Sequence, residues 1–399
     1  MLSANNNTQQ TEEVNNRMKN SNLKKALAMV LSAAMVFTTI AGFGSARTEA
    51  AETASADTRI MNDSYGEVTI EGEVSRIIST APAYTVSLIL MGGVDKLAGI
   101  DANSGSNEWL LKMYPQLADV PVITQNGELN LETVAFLDPD LIILTPAMNG
   151  MLEQVQQLGV PVINEPVYDE NSTLLERNRD RQAYYGVAMG GESLETSDRY
   201  VQYFNAMVDH VYDVTKDLAD ADKPTVVEIR NLEPLTVCNG NDRSVAQDWI
   251  TAAGGINVAG DNTQDGKSGS LEVTMEELLA WDPDYIVCSN SASKEALLAD
   301  ARFANMTAVT NGAVVDMPKG LMAWGYNGPE LPLFVEFAGK YIHPELFEDV
   351  DVIADAKEFY SEFFGFEISD EEMQNILFTE LPLDEYAAQT FGGSLNEAA

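Results

Sequence analysis

Residues 129–144 read LNLETVAFLDPDLIIL and residues 273–288 read VTMEELLAWDPDYIVC. The two stretches align without a gap at an offset of 144 residues. Glu132 then matches Glu276, Asp138-Pro139-Asp140 matches Asp282-Pro283-Asp284, and an apolar run follows each. Both copies have the same physical reading. A polar N-cap, Asn130 or Thr274, opens a short helix with a Glu in its first turn, where the helix dipole favours negative charge. Asp-Pro-Asp ends the helix, because proline disfavours helical backbone in the residue before it. The apolar run is a buried parallel strand. A unit repeated at this distance requires a chain built from two similar α/β halves.

The remaining pattern fits two halves. RIISTAPAY from Arg76 reads as a strand entering a loop, followed by a helix over Thr85–Met91 that breaks at Gly92-Gly93. LAGID at 97–101 and VPVIN at 160–164 are further strands. The second half restarts after Lys223-Pro224 with the strand TVVEIR, then a helix in WITAAGGINVAG closed by Gly254-Gly255, and a last strand in AVVDM at 313–317. Between the halves, Tyr200, Phe204, Val208, Val211 and Val214 recur at helical spacing within residues 192–219. That predicts one helix of roughly 28 residues, about 40 Å long. The terminal stretch AKEFYSEFFGFEISDEEMQNIL is amphipathic and helical with a break at Gly365. The expected fold class is α/β: two Rossmann-like lobes with parallel-rich sheets joined by one long α-helix, a ligand cleft between them. The expected domains are an export signal and linker at 1–56, an N-terminal lobe at 57–191, the connecting helix at 192–221, and a C-terminal lobe with terminal helices at 222–399.

The export reading comes from a basic cluster (Lys19, Lys24, Lys25), the apolar run Ala26–Gly44 and the small residues after it. Met18 is an alternative start, and an uncleaved anchor is the alternative to cleavage. No cysteine follows the run, so there is no lipid-attachment site. Charge narrows the function classes. The chain carries 62 Asp+Glu against 23 Lys+Arg, a formal net charge of −39, with two His and two Cys. Residues 1–56 hold five of the basic and four of the acidic residues, so the acidity belongs to the exported part. A basic nucleic-acid-binding face is excluded, as is attraction to an anionic membrane surface. His210 and His343 are too few for a histidine-built metal centre, and two cysteines exclude a four-cysteine one. His343 before Pro344 reads as a helix cap. Cys238 and Cys288 both follow second-half strands; free buried thiols are the expectation and a disulfide the alternative.

Four stretches carry a resemblance: 76–101, NLETVAFLDPDLIIL at 130–144, AAGGINVAGD at 252–261 with the 274–288 repeat, and WGYNGPELPLFVEFAGKYIHPELF at 324–347. In order and spacing the chain resembles the substrate-binding proteins of bacterial importers for iron-siderophore, haem and vitamin B12, the class III periplasmic-binding-protein family. The resemblance spans roughly residues 74–382; the missing lipobox cysteine is a departure from it. It implies an extracytoplasmic monomer that captures a metal chelate, ferric siderophore first, and delivers it to an ABC importer permease. It implies no catalysis and no resident cofactor or metal. It also implies that Glu132 and Glu276 dock onto arginines of the permease; from the residues alone each is a glutamate placed to suit a helix dipole.

Ligands of parallel α/β sheets bind beyond the carboxyl ends of the strands. The loops there hold Tyr84, Trp109, Met148, Tyr168, Arg230, Arg243, Trp324 and Tyr326, the candidate ligand-binding residues. Aromatic rings suit planar or apolar ligands, and arginine suits carboxylates or anionic metal complexes. Arg177, Arg179 and Arg181 read as a solvated helix face beside Glu176 and Asp180, with an anion-binding patch at the lobe junction as the alternative. Asn103, Ser104, Ser106, Asn107, Asn239 and Asn241 make the same loops polar, which suits a polar ligand over bare haem. An oxyanion such as molybdate, or haem or cobalamin, is the alternative cargo. An exported carboxylate-dependent enzyme and a non-transport surface protein are the alternatives of a different class. The chain shows no G-x-S-x-G, no His placed to serve a nucleophile and no phosphate-binding glycine loop.

Overall fold

The computed structural model describes residues 58–125, 127–238, 240, 244–260 and 269–392. The export-signal segment lies outside the described residues. The first half opens on an antiparallel hairpin, β1 (Thr58–Asp63) and β2 (Gly66–Glu71). Then come β3 (Ile77–Ser79), β4 (Leu97–Gly99), the small hairpin β5 (Thr124–Gln125) and β6 (Glu128–Leu129), β7 (Leu141–Ile143) and β8 (Val162–Ile163). Strands β4-β3-β7-β8 form one sheet in that order, all parallel. Every residue of β3 and β7 is buried, as continuous apolar strands covered on both faces must be.

The second half supplies β9 (Thr225–Leu232), β10 (Leu235–Cys238), β11 (Ile256–Asn257), β12 (Ser270–Glu272), β13 (Tyr285–Cys288) and β14 (Val314–Asp316). Their sheet runs β12-β10-β9-β13-β14, with β11 pairing the start of β9. Strands β11, β9, β13 and β14 are mutually parallel, while β10 and β12 are antiparallel additions at one edge.

The repeat is visible atom by atom. Each short helix, Leu131–Leu137 and Met275–Trp281, ends on an Asp in the left-handed region, Asp138 at φ 48° and Asp282 at φ 41°. The third residue of each Asp-Pro-Asp then fastens the first strand of its own sheet. Asp140 accepts from Ser75 N and Oγ, both at 2.8 Å, and from Arg76 N. Asp284 accepts from Thr225 N at 2.8 Å and Thr225 Oγ1 at 2.7 Å. The motif therefore sets strand order as well as ending a helix.

The connecting helix is Glu192–Thr215, 24 residues, ending four residues short of the sequence expectation. Tyr200, Phe204 and Val211 are buried along it, and Val208 and Val214 pack partly buried against the same core. It lies antiparallel to the preceding helix, Leu174–Met189, after a reversal at Gly190-Gly191, both at positive φ. At Gly186 the helices meet so closely that a Cβ would stand 1.9 Å from Ser197 Oγ. One large core runs between the sheets, and a smaller core lies on the outer face of each. Helix Val352–Phe364, beyond the second sheet, packs back on the first half's helix Pro82–Leu90. Tyr114 Oη donates to Phe364 O at 2.7 Å there, and Lys112 pairs with Glu372 at 2.6 Å. Gly365 ends Val352–Phe364 in the left-handed conformation, where the sequence placed the break. His343 caps helix Leu331–Ile342.

Cys238 and Cys288 are free and buried. They lie on the two strands flanking β9 and face different cores, Cys238 the central one and Cys288 the outer one. Two strand spacings separate them by about 10 Å, too far for a disulfide.

Candidate ligand-binding site

Two polar groups of side chains lie near the carboxyl ends of the two sheets, linked by one hydrogen bond. In the first half, β8 runs into Asn164-Glu165. Asp63, at the end of β1, accepts from Asn164 N at 2.6 Å and holds this segment. Glu165 then gathers three partners: Tyr84 Oη donates to its Oε1 at 3.2 Å, Tyr168 Oη to its Oε2 at 3.1 Å, and Arg181 Nη1 pairs with Oε1 at 3.2 Å. Burial, with Glu165 adding to it, pushes the Tyr84 and Tyr168 hydroxyls well above the usual tyrosine range, so both remain protonated donors. Burial alone would lower the Arg181 pKa, but Glu165 together with Tyr168, Tyr185 and Tyr84 more than offsets it, and the guanidinium stays charged. Tyr185 packs edge-on against Tyr84, with centroids 5.5 Å apart.

In the second half, Arg230 stands near the end of β9 with its guanidinium 5.2 Å from the centre of the Tyr326 ring. Its Nε donates to Cys238 Sγ at 2.8 Å, and Asn290 Nδ2 holds its carbonyl at 2.7 Å. Glu228, two residues earlier on β9, is buried and accepts from Ser289 Oγ at 2.8 Å; burial pushes its carboxyl upward. The two groups of residues meet where Arg181 Nη2 donates to Asn327 O, the residue after Tyr326.

The loop carrying Tyr326 and Asn327 is braced from behind by Glu330, which is fully buried. Its carboxylate accepts from Leu321 N and Met322 N, both at 2.7 Å, and from Tyr360 Oη. Burial pushes the Glu330 carboxyl up to about 7. Gly320 is required here, since a Cβ would stand 1.8 Å from Tyr360 Oη.

Of the sequence-predicted residues, Tyr84 and Tyr168 meet on Glu165, and Arg230 meets Tyr326. Trp324 is fully buried and points away, its Nε1 donating to Tyr360 Oη at 3.1 Å. Met148 is buried in the outer core of the first sheet, inside the 3-10 segment Pro146–Met151. Trp109 is half-buried on helix Glu108–Met113, with Lys112 Nζ 5.2 Å from its ring centre. Arg243, Asn239 and Asn241 lie outside the described residues. Glu132 and Glu276 are exposed in the first turns of the two repeated helices.

Sequence reasoning missed Glu165, and it read the arginine cluster at 177–181 as a solvated face. The structure buries Arg181 between Glu165 and Asn327, and sets the Arg177 guanidinium 5.6 Å from the Tyr168 ring centre. The only available signal was three arginines within five residues of a chain with so few cations. Among the described residues, neither Arg177 nor Arg230 has a carboxylate at ion-pair distance. Nor do the described residues contain a group of three or more His, Cys, Asp or Glu able to hold a metal.

Residues 77–321 match the family model of the periplasmic binding proteins. The chain belongs to the periplasmic binding protein family. It is 24% identical over 327 residues to the molybdate-binding protein MolA of Haemophilus influenzae, covering 77% of this chain and 91% of that one. It is 23% identical over 300 residues to YvrC of Bacillus subtilis, named as an ABC transporter substrate-binding lipoprotein, covering 73% and 87%. Among solved structures, a periplasmic solute-binding protein of Veillonella parvula superposes with a TM-score of 0.70 at 27% identity, covering 81% of this chain and 97% of that one. The binding protein is thus of the ABC-importer kind, a solute binder and not an enzyme. No helix among its described residues is long and apolar enough to cross a membrane.

Proposed function

We propose that this binding protein captures a small anionic cargo between Arg177, Arg181, Tyr84 and Tyr168 on one side and Arg230 and Tyr326 on the other. It acts outside the cytoplasmic membrane as a monomer and hands the cargo to an ABC importer permease. One observation supports the reading: among the described residues, Arg230 near the end of β9 and Arg177 in the first turns of helix Leu174–Met189 have no carboxylate at ion-pair distance, in a chain whose net charge is −39. A cation left unpaired near a partly buried centre is costly, and an anionic ligand supplies the missing charge. The tyrosine hydroxyls add neutral donors.

An anionic metal chelate of the ferric-siderophore kind is the first cargo, because rings beside the cations suit its planar donor arms. Molybdate is the second reading, favoured by the name of the Haemophilus relative and by the arginines. Uncharged cobalamin gives the unpaired cations nothing. Glu132 and Glu276 are the permease contacts in this reading, exposed at equivalent places of a two-fold repeat.

A thermal-shift screen over ferric siderophores, ferric citrate, haem, cobalamin and molybdate tests it. An anionic cargo at a hundredfold excess over its dissociation constant raises stability by about 2.7 kcal/mol. No shift with any of them removes the transport reading as stated.

A further inference from the structure

Helix Glu108–Met113 of the first half is bonded to the second half at its start, along its body and at its end. Asn107, its N-cap, accepts from Leu110 N at 3.0 Å through Oδ1 and donates through Nδ2 to Leu321 O at 2.8 Å. The cap fixes the orientation of the amide, so one side chain both starts the helix and reaches across. Lys112 pairs with Glu372 of helix Asp370–Ile376 at 2.6 Å. Tyr114, the C-cap, donates from Oη to Phe364 O, the end of helix Val352–Phe364, at 2.7 Å. Three separate segments of the second half therefore hold one helix of six residues.

Little else holds that helix. Six residues are too few for a helix to stand alone in water. Leu110 is its one fully buried residue, while Trp109, Leu111 and Met113 pack partly buried against the central core. The Lys112 side chain is 52% exposed. A segment with few buried contacts and solvent-exposed bonds opens at lower free energy than the core beside it.

A second group of bonds between the halves differs in kind. Asn178 Nδ2 donates to Gly328 O at 3.1 Å and Arg181 Nη2 to Asn327 O, both from buried positions on helix Leu174–Met189. That helix turns at Gly190-Gly191 straight into the connecting helix, whose fully buried Tyr200 donates to Pro329 O at 2.8 Å. This side is dry and continuous with the covalent crossover; the side of helix Glu108–Met113 is neither. Helix Val352–Phe364 also rests on helix Pro82–Leu90, an apolar contact that is non-directional and can slide, whereas the three polar bonds must break.

We propose that helix Glu108–Met113 is a latch between the halves. It lets go of Leu321, Phe364 and Glu372 when the halves part, and the buried bonds of Asn178, Arg181 and Tyr200 stay made as the pivot. The inference holds whichever cargo is carried and wherever it sits, and its test uses no cargo.

The test combines amide hydrogen exchange with double electron–electron resonance on the exported protein, comparing wild type with the triple variant Asn107→Ser, Lys112→Gln, Tyr114→Phe. Serine still caps the helix and phenylalanine keeps the ring, so the variant removes the three bonds and little else. Nitroxides are attached at Gln154→Cys and Leu298→Cys, exposed residues of the first and second half, since Cys238 and Cys288 are buried. In the variant the Leu111 and Tyr114 amides are expected to exchange at least about tenfold faster, with helix Leu174–Met189 unchanged. A population with a longer label separation, absent from wild type, is expected beside it. An unchanged distance distribution overturns the inference even if exchange quickens, because the bonds then merely fasten the helix to a rigid body. A longer separation without faster exchange in the helix overturns it too, as does equal quickening in helix Leu174–Met189, which removes the pivot. If the triple variant does not fold, Asn107→Ser alone is read by the same criteria.

Discussion

Glu330 makes stability depend on pH in a direction opposite to that of most carboxylates. Its carboxyl is raised from the ordinary 4.5 to about 7 because burial opposes the charge more than its hydrogen bonds favour it. The folded state therefore holds the proton more tightly than the unfolded chain does. The stabilisation is complete below about pH 4.5, is lost as pH rises, and is gone above about pH 7. A separation of about 2.5 units at about 1.4 kcal/mol per unit gives a loss of about 3 kcal/mol across that window. Glu330→Gln removes the titration and keeps the side chain's shape. Urea unfolding of wild type and variant at half-unit steps from pH 4 to 8 isolates the group, because every other titration is shared. The stability of wild type minus that of the variant should fall by about 3 kcal/mol between pH 4.5 and 7 and then level. A difference that is flat with pH, or that rises, refutes the reasoning and returns Glu330 to an ordinary ionised carboxylate held by Leu321 N, Met322 N and Tyr360.

Three further outcomes follow from particular contacts. Asp140→Ala and Asp284→Ala each remove the clamp on the first strand of their sheet. Each should lower stability by about 1–3 kcal/mol in denaturant unfolding, with similar values at the two repeat positions. Gly186→Ala should cost about 1–3 kcal/mol by forcing the paired helices apart, and Ser197→Gly in the same chain should recover most of it, a coupling that a double-mutant cycle measures. Glu132→Arg combined with Glu276→Arg should lower cargo uptake in cells while leaving the affinity of the purified protein unchanged; a loss of affinity instead places both residues in the cargo site.

What the sequence disclosed and what it withheld divide along physical lines. The repeat is legible because Asp-Pro-Asp acts within a few residues: its first Asp takes the left-handed cap and its last one reaches the nearest strand start. The connecting helix is legible because burial of one face writes a 3.6-residue period into the chain, and only its last turn was overestimated. The strand ends were legible, which is why Tyr84 and Tyr168 were picked out beside Glu165, and Arg230 beside Tyr326. Burial inside loops was not legible. Trp324 reads as a cleft aromatic, but its neighbour Tyr360 arrives from a helix 36 residues later and encloses it. Arg181 reads as a solvated charge, because its partners Glu165 and Asn327 lie 16 and 146 residues away. The antiparallel β10 and β12 were missed because such short edge strands leave no period to read. The opposed faces of Cys238 and Cys288 depend on the register of β9, which no local pattern states.

The central claim is that Arg177 and Arg230, which have no carboxylate at ion-pair distance among the described residues, bind an anionic cargo. The direct measurement is a titration of the tightest cargo from the ligand screen into wild type and into the double variant Arg177→Ala, Arg230→Ala, at low and high salt. The account predicts an anionic cargo, an affinity reduced at least a hundredfold in the double variant, and a salt dependence that shrinks with the two charges removed. A tightest cargo that is neutral or cationic, or an anionic one bound equally well without the two arginines, contradicts it.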